Sequence, residues 1–319
     1  MQKLNDRLGS FMKDIRLEGA TVILCSAVLL QIFKLISLLI TNKTVENIFI
    51  IPFQLIIFVV PAFLYLKATS NDGELLKGLR FRTPRVYQVP LVLTSLFLLV
   101  CGNVLVSLVF AGTGSLEEGF TLYNTFVSRN SGGFFSVLYM ILAYAAVPAF
   151  CEELVFRALL CREYERYNVL LGILVSAVFF AVIHFDVYLF PVYLFSGIVL
   201  ALTMYATGSV IASMAVHLAF NVFGLFGQPY LNAFYTITGG TGGLFIFILS
   251  MLTILAAALF CGCASKCYAK RAKHSNMPDR KLLPPHDKVM GLVSKMVLTP
   301  FAIATFVLYI AVVIIGIFL

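Results

Sequence analysis

The segment AFCEELVFRALL, residues 149–160, places two adjacent carboxylates and an arginine inside an otherwise apolar run. A charged side chain at the centre of a bilayer costs about 2.5–3.5 kcal/mol on insertion scales, so such groups usually face a protein interior or a wet cavity. In a helix, Glu153 and Arg157 lie four residues apart, close enough for an ion pair, whereas Glu152 lies about 100° further round the axis. We therefore expect Arg157 to neutralise Glu153 and to leave Glu152 free to react.

The composition of the chain excludes an ordinary soluble globule. Of its 319 residues, 61% are hydrophobic and 12% are charged, and the mean hydropathy is +0.98. The apolar runs are about twenty residues long and lack polar alternation, which favours membrane-spanning helices over the strands of a barrel. The sequence therefore predicts an all-α protein, a polytopic transmembrane helical bundle of about nine spans.

The predicted spans divide the chain into three regions. The N-terminal region, 1–133, holds three transmembrane helices, and the region 134–226 holds four, including the charged segment. The C-terminal region, 227–319, holds two helices joined by a basic cytoplasmic linker. The approximate spans are 19–40, 48–66, 89–111, 134–160, 169–185, 187–205, 210–226, 244–264 and 297–319.

The basic residues are distributed unevenly between the two sides of the predicted bundle. With alternate loops on opposite sides, twenty lysines and arginines fall on one side and two, Lys43 and Arg129, on the other; Lys34 lies inside the first span. Because positively charged loops stay in the cytoplasm, we expect an integral protein of a bacterial plasma membrane with a cytoplasmic N-terminus and an external C-terminus. The same bias explains the net charge of +8 without nucleic acid and leaves membrane lipids as partners.

Two later spans carry further polar side chains at matching depths. Glu152 and His184 each lie sixteen residues from Asn168, at the turn between their helices, so they can meet inside the bundle. His217 and Asn221 are four residues apart and project from one helix face. Carboxylates, imidazoles and an amide that converge in this way suit a site that activates water for amide hydrolysis.

Three short motifs occur in order on consecutive predicted spans. Residues 152–157 read EExxxR, residues 180–184 read FxxxH, and residues 217–221 read HxxxN. Together they resemble the CPBP family of intramembrane proteases, which includes the type II CAAX prenyl endopeptidases and bacterial proteins related to bacteriocin self-immunity. The resemblance covers about 134–226, which it identifies as a catalytic core of four helices.

The resemblance also implies roles for the motif residues. Glu152 would activate the attacking water with help from His184, while His217 and Asn221 would stabilise the oxyanion. The residues that would orient this site are Glu153 and Arg157. The implied activity is that of an intramembrane endopeptidase acting on a membrane-associated peptide or protein, by CAAX-type or by bacteriocin- or pheromone-type processing. We expect the cavity to open to the cytoplasmic side.

The sequence leaves metal dependence open. His184, His217 and Glu152 could form a zinc site with an open position, but the HExxH arrangement of helical zinc proteases is absent. Members of the family are described both as metalloproteases and as metal-free glutamate proteases. A divalent metal such as zinc and a metal-free glutamate mechanism are therefore equal expectations.

Two other classes of function fit a buried cluster of Glu, Arg and His side chains. An ion- or proton-coupled transporter would use it as a relay, and should show helices broken at the bilayer midplane and paired half-repeats. The sequence shows neither clearly. The other class is a non-catalytic membrane scaffold, in which the cluster would be a structural ion-pair network.

Smaller features have structural interpretations. The odd number of cysteines, seven, gives no disulfide framework, and we expect reduced thiols. The cluster CGCASKC, residues 261–267, could be acylated, although apolar packing is the simpler role. Asp186 is expected to cap the helix that follows it, and residues 265–288 are expected to form a solvated basic linker that interacts with anionic lipid.

Overall fold

The computed structural model describes residues 18–69, 79–110, 121–129, 132–165, 168–240, 242–274 and 299–318. These residues form eleven helices and no strand, which confirms the predicted all-α class. The helices are α1 Gly19–Leu39, α2 Lys43–Thr69, α3 Val89–Phe110, α4 Thr121–Arg129, α5 Phe134–Tyr164, α6 Val169–Val182, α7 Phe190–Thr207, α8 Val210–Phe226, α9 Gln228–Ile237, α10 Gly242–His274 and α11 Pro300–Phe318. The basic N-terminal residues 1–17 and the linker residues 275–298 lie outside the described residues.

The predicted number of nine spans is approximate. Six of the described helices are long and apolar enough to cross a membrane, and α8 with α9 makes a seventh if the pair, bent by 67°, counts as one span. The helices α6 and α11 are apolar but shorter. Every predicted span thus coincides with a helix, but α6 and α11 fall below spanning length, and α8 reaches it only together with α9. The boundaries of the three predicted regions stay a prediction.

The short helix α6 ends before the predicted position, and a turn explains why. The span was expected to reach Phe185, whereas the helix ends at Val182. Phe185 has φ +53°, in the left-handed region that residues with a side chain rarely adopt. The Oδ1 atom of Asp186 accepts hydrogen bonds from the backbone N–H groups of Tyr188 and Leu189, both at 2.9 Å. Asp186 therefore holds this turn, and the prediction that it caps α7 is wrong, because no side chain caps that helix.

Two other helix starts follow ordinary capping chemistry. The Asn168 side chain accepts a hydrogen bond of 2.8 Å from the Leu170 N–H and begins α6. Gly208, with φ +70°, ends α7 in the left-handed conformation that glycine adopts without strain. The Ser209 hydroxyl then accepts a hydrogen bond of 3.1 Å from the Ala212 N–H and begins α8. These caps fix where the two helices that flank the charged segment enter the bundle.

The helix with the charged segment is not a regular α-helix. Two π-helical stretches, Leu142–Ala146 and Leu154–Leu160, flank the α-helical residues Val147–Glu153. Such wide turns are rare and often occur at functional sites. The second stretch begins directly after Glu153 and contains Arg157, so the two partners of the expected ion pair lie across a change of helical pitch.

The largest apolar cluster fixes this helix in the bundle. Phe156 and Leu160 of α5, Phe179 of α6 and Ile23 of α1 are fully buried in it. Phe179 also stacks on Phe306 of α11, with ring centroids 5.6 Å apart. Between helices in lipid, close packing rather than exclusion of water supplies the attraction. The charged face of α5 is thereby turned toward α7 and α8.

One end of the bundle gathers the basic segments, and we call it the basic end. Glu163, near the end of α5, accepts hydrogen bonds from the Gly19 N–H at 2.7 Å and from the Tyr65 hydroxyl at 2.9 Å. Arg80 forms an ion pair of 2.9 Å with Glu165. The start of α1, the end of α2 and the turn after α5 therefore lie together.

The last turns of α10 also reach the basic end. Lys270 lies 4.1 Å from the centroid of the Tyr87 ring, and Arg271 donates a hydrogen bond to the carbonyl of Tyr205. Because α10 continues to His274, the first ten residues of the expected solvated linker 265–288 are helical instead. That part of the linker prediction is wrong.

The opposite end of the bundle carries far fewer basic residues in the part of the chain that the structure describes. Arg129, at the end of α4, forms an ion pair of 3.0 Å with Glu46 and donates a hydrogen bond of 2.9 Å to Asn47, both near the start of α2. The Tyr139 hydroxyl donates a hydrogen bond to the carbonyl of Asn47. All seven cysteines are free, as expected.

Candidate active site

The Glu153–Arg157 ion pair lies fully buried at the centre of the site. The Nη1 atom of Arg157 is 2.9 Å from Oε1 of Glu153, and neither side chain is exposed, which confirms the predicted pair. Arg157 also donates a hydrogen bond of 3.2 Å from Nη2 to the carbonyl of Gly197. Its guanidinium lies 4.5 Å from the centroid of the Phe180 ring. These contacts hold the cation in one position.

Glu153 in turn orients the first of the two histidines. Its Oε1 atom lies 3.0 Å from Nδ1 of His217, and its Oε2 atom accepts a hydrogen bond of 2.5 Å from the Ser213 hydroxyl. A carboxylate partner assigns a proton to Nδ1 of His217. The Nε2 atom therefore faces away from Glu153 and is available to other groups.

That available nitrogen faces the second carboxylate. The Oε2 atom of Glu152 lies 3.9 Å from Nε2 of His217, beyond direct hydrogen-bond distance. About 12% of the Glu152 side chain is exposed, whereas that of Glu153 is fully enclosed. The two adjacent glutamates thus have different surroundings, one enclosed by charge partners and one beside a cavity, as the helical spacing predicted.

The second histidine is not in a helix. His184 lies in the turn after α6, and its Nδ1 atom is 2.6 Å from the carbonyl of Phe180. Donation of the Nδ1 proton to this carbonyl leaves Nε2 unprotonated. The imidazole stacks on the Tyr193 ring, with centroids 3.7 Å apart and planes inclined by 18°. The FxxxH motif therefore holds an imidazole through a backbone carbonyl.

A cavity of about 290 Å³ brings the predicted site residues together. Four of the six predicted residues line it, namely Glu152, His184, His217 and Asn221. The amide nitrogen of Asn221 lies 3.5 Å from the carbonyl of Ala145, at the limit of a hydrogen bond. The remaining two, Glu153 and Arg157, lie behind the wall and contact the lining through His217 and Phe180. The arrangement separates a cavity-facing set from a supporting ion pair.

The sequence reasoning missed several residues that lie next to the predicted site residues or line the same cavity. Ser213 lies four residues before His217 on the same face of α8, so the spacing used for Asn221 could have found it. Tyr193, which stacks on His184, gave no signal in the sequence. Gln54 and Asn103 were detectable only as isolated amides within apolar spans. Both line the cavity, and Asn103 exchanges hydrogen bonds of 2.8 and 3.1 Å with Ser196.

The expected metal ligands do not form a metal site as they are arranged. Within the described part of the chain, no three His, Cys, Asp or Glu side chains are grouped so as to hold a metal ion. We therefore derive no step of the reaction through a metal.

Comparison with known families agrees with the motifs. A family model described as type II CAAX prenyl endopeptidase Rce1-like matches residues 134–223. This range contains all three motifs, and the predicted family resemblance is confirmed. Comparison with curated proteins and comparison with solved structures each gave no match. Together with the apolar helices, the family match makes the chain an integral membrane protein.

Proposed function

Since residues 134–223 match the Rce1-like family of CAAX-type intramembrane proteases, we propose that this chain is an endopeptidase that cleaves a membrane-associated peptide or protein. The observation that carries the proposal is the pair formed by Glu152 and His217. The two face each other across 3.9 Å at the wall of a cavity. Such a gap between polar atoms suits one bridging water.

Glu152 is the base in the proposed reaction. It takes a proton from the bridging water, whose oxygen forms a bond to the carbonyl carbon of the substrate. The C–N bond then breaks, and Glu152 returns the proton to the leaving amine nitrogen. His184, with an unprotonated Nε2 facing the cavity, accepts the second hydrogen of the water and fixes its orientation.

The oxyanion formed by this attack needs hydrogen-bond donors. Asn221 supplies its amide N–H groups from the next turn of α8. His217 supplies Nε2–H when the imidazole is protonated, and the Glu153 carboxylate at Nδ1 stabilises that cation. In this scheme Arg157 holds Glu153 and is a positioning residue.

Removal of the amide donor tests this scheme. We expect Asn221→Ala to lower kcat by about 10²–10³-fold with little change in KM, the usual effect of losing one oxyanion donor. The assay uses purified protein in liposomes and a membrane-anchored peptide, with cleavage followed by mass spectrometry. Asn232→Ala, at an exposed asparagine of α9, is the matched control. Full activity of Asn221→Ala would contradict the assignment.

We further propose that the reaction proceeds without a metal ion. The support is that no three His, Cys, Asp or Glu side chains among the described residues are grouped so as to hold a metal ion. The zinc content of the purified protein is measured by mass spectrometry, and its peptidase activity is measured before and after treatment with a chelator. We expect the activity to be unchanged by the chelator. Stoichiometric zinc that is lost together with activity would favour the zinc site of Glu152, His184 and His217.

Gln54 is proposed to bind the backbone of the substrate. Its Oε1 atom is buried at the cavity without a hydrogen-bond partner among the described residues, and an unpaired acceptor costs free energy until a donor arrives. We expect Gln54→Leu to raise KM by up to about tenfold, the value of one neutral hydrogen bond. The stability should not fall. Gln31→Leu in α1, away from the cavity, is the control, and an unchanged KM for Gln54→Leu would exclude this role.

The transporter and scaffold alternatives gain no comparable support. The 67° bend between α8 and α9 occurs at Gly227, ten residues after His217, and not beside the buried ion pair. Coupling sites of transporters use the broken ends themselves. The bend therefore does not connect the charged cluster with ion binding.

A further inference from the structure

The His184 imidazole lies in contact with two aromatic rings, although the residue itself is outside any helix. The Tyr193 ring stacks on it, with centroids 3.7 Å apart and planes inclined by 18°. The Phe180 ring lies 4.9 Å away and is inclined by 58°. The hydrogen bond from Nδ1 to the carbonyl of Phe180 fixes one atom of the imidazole, but a single bond leaves the ring plane free to tilt. The stacked Tyr193 ring removes that freedom.

The backbone between the two stacked residues turns back on itself. Phe185, with φ +53°, reverses the chain directly after His184. The Asp186 side chain then accepts a hydrogen bond of 2.9 Å from the Leu189 N–H, and the Leu189 carbonyl accepts one of 3.0 Å from the Tyr193 N–H. The stacked rings close this loop, and both of them line the cavity. The loop therefore carries its own support for the imidazole.

The direction of the imidazole plane matters for the role that we propose for His184. The lone pair of an unprotonated Nε2 atom lies in the ring plane, so the tilt of the ring decides which point in the cavity can donate a hydrogen bond to it. Catalytic groups have to be held close to their productive geometry, and small displacements lower the rate strongly. A side chain that fixes the plane of His184 therefore affects the reaction without touching the water.

From this geometry we propose that Tyr193 is a positioning residue, whose ring fixes the plane of the His184 imidazole and so aims Nε2 at the attacking water. This inference rests on the proposed peptidase function. The face of the Tyr193 ring makes the contact with His184. The requirement at position 193 is therefore an aromatic ring and not a hydroxyl group.

Kinetics of two substitutions at Tyr193 test this role. We expect Tyr193→Leu to lower kcat by about tenfold with little change in KM, which matches the upper end of what one aromatic pair contributes. Tyr193→Phe keeps the ring and should keep the wild-type kcat. Tyr309→Leu is the matched control, because Tyr309 of α11 contacts Phe185 and Phe190 of the same loop, with centroids 6.1 and 6.2 Å away, but does not line the cavity. We expect this control to keep the wild-type kcat.

A spectroscopic measurement tests the positioning without requiring turnover. The full chain has four histidines, so labelling them with ¹⁵N gives few imidazole signals in detergent micelles, and His184→Gln assigns the signal of interest. At mildly alkaline pH, where imidazoles are neutral, we expect wild type and Tyr193→Phe to show one tautomer of His184, with the proton on Nδ1. Tyr193→Leu should show an average of both tautomers.

Other results would overturn the proposal. An equal loss of kcat in Tyr193→Phe and Tyr193→Leu would assign the effect to the hydroxyl, and a change in KM alone would make Tyr193 a substrate contact. A single tautomer in Tyr193→Leu would show that the carbonyl of Phe180 is sufficient. If Tyr193→Leu does not fold, Tyr193→Met replaces it in both measurements. Wild-type protein without peptidase activity would reject the proposed function, while the ¹⁵N signals would still decide whether Tyr193 holds His184.

Discussion

Glu152→Gln is expected to abolish detectable peptidase activity while leaving the fold intact. A positioned general base contributes about 10²–10⁴-fold to a rate, and glutamine, which has nearly the same shape, cannot accept the proton of water. Because Glu152 has no direct hydrogen bond to His217 at 3.9 Å, its loss leaves no buried partner unpaired. Activity should therefore fall with almost no change in the midpoint of thermal unfolding, measured in detergent.

Glu46→Gln is the matched control for this variant. Like Glu152, Glu46 is a glutamate of a membrane helix, but it is paired with Arg129, its side chain is 19% exposed at the opposite end from the basic segments, and it does not line the cavity. We expect the Glu46→Gln variant to cleave the peptide at the wild-type rate. Undiminished cleavage by Glu152→Gln would remove the base from the scheme, whereas a large drop in its unfolding midpoint would show a structural role.

Helical spacing accounts for what could be predicted of the site. Glu153 and Arg157 are four residues apart on one helix, so their ion pair can be predicted without knowing how the helices pack. The same holds for His217 and Asn221. The ion pair between Glu153 and Arg157 forms although a π-helical stretch starts at Leu154, because contacts with Phe180 and Gly197 hold the Arg157 side chain in place.

A missed turn and contacts between helices account for what was not predicted. His184 was expected in a helix, but a left-handed Phe185 and the Asp186 side chain divert the chain into a turn. The stacking of Tyr193 on that imidazole depends on how α7 returns from the turn. The course of α10 past Ala264 likewise depends on the docking of Lys270 on Tyr87. The turn at Asp186 is itself local, whereas the stacking of Tyr193 and the docking of Lys270 are contacts between distant parts of the chain.

Arg157→Met is expected to be strongly destabilising, by about 3–5 kcal/mol in the free energy of unfolding, because it leaves the Glu153 carboxylate buried without its cation. Both side chains of this pair are fully enclosed, at 0% exposure. The matched control is Arg129→Met, whose pair with Glu46 is 22% and 19% exposed and should be worth about 0–1 kcal/mol. Denaturant titration in mixed micelles measures both variants.

The double variant Glu153→Gln with Arg157→Met separates burial of a lone charge from loss of packing. Removing both charges eliminates the uncompensated carboxylate, and replacing a complete buried pair is often nearly neutral. We therefore expect the double variant to recover most of the stability lost by Arg157→Met. We still expect the double variant to lack peptidase activity. The neutral amide that Glu153→Gln places at Nδ1 of His217 would no longer stabilise the imidazolium that the oxyanion requires. If the double variant is as unstable as the single one, the loss comes from the contacts of Arg157 with Phe180 and Gly197, and the ion pair is not what holds this site together.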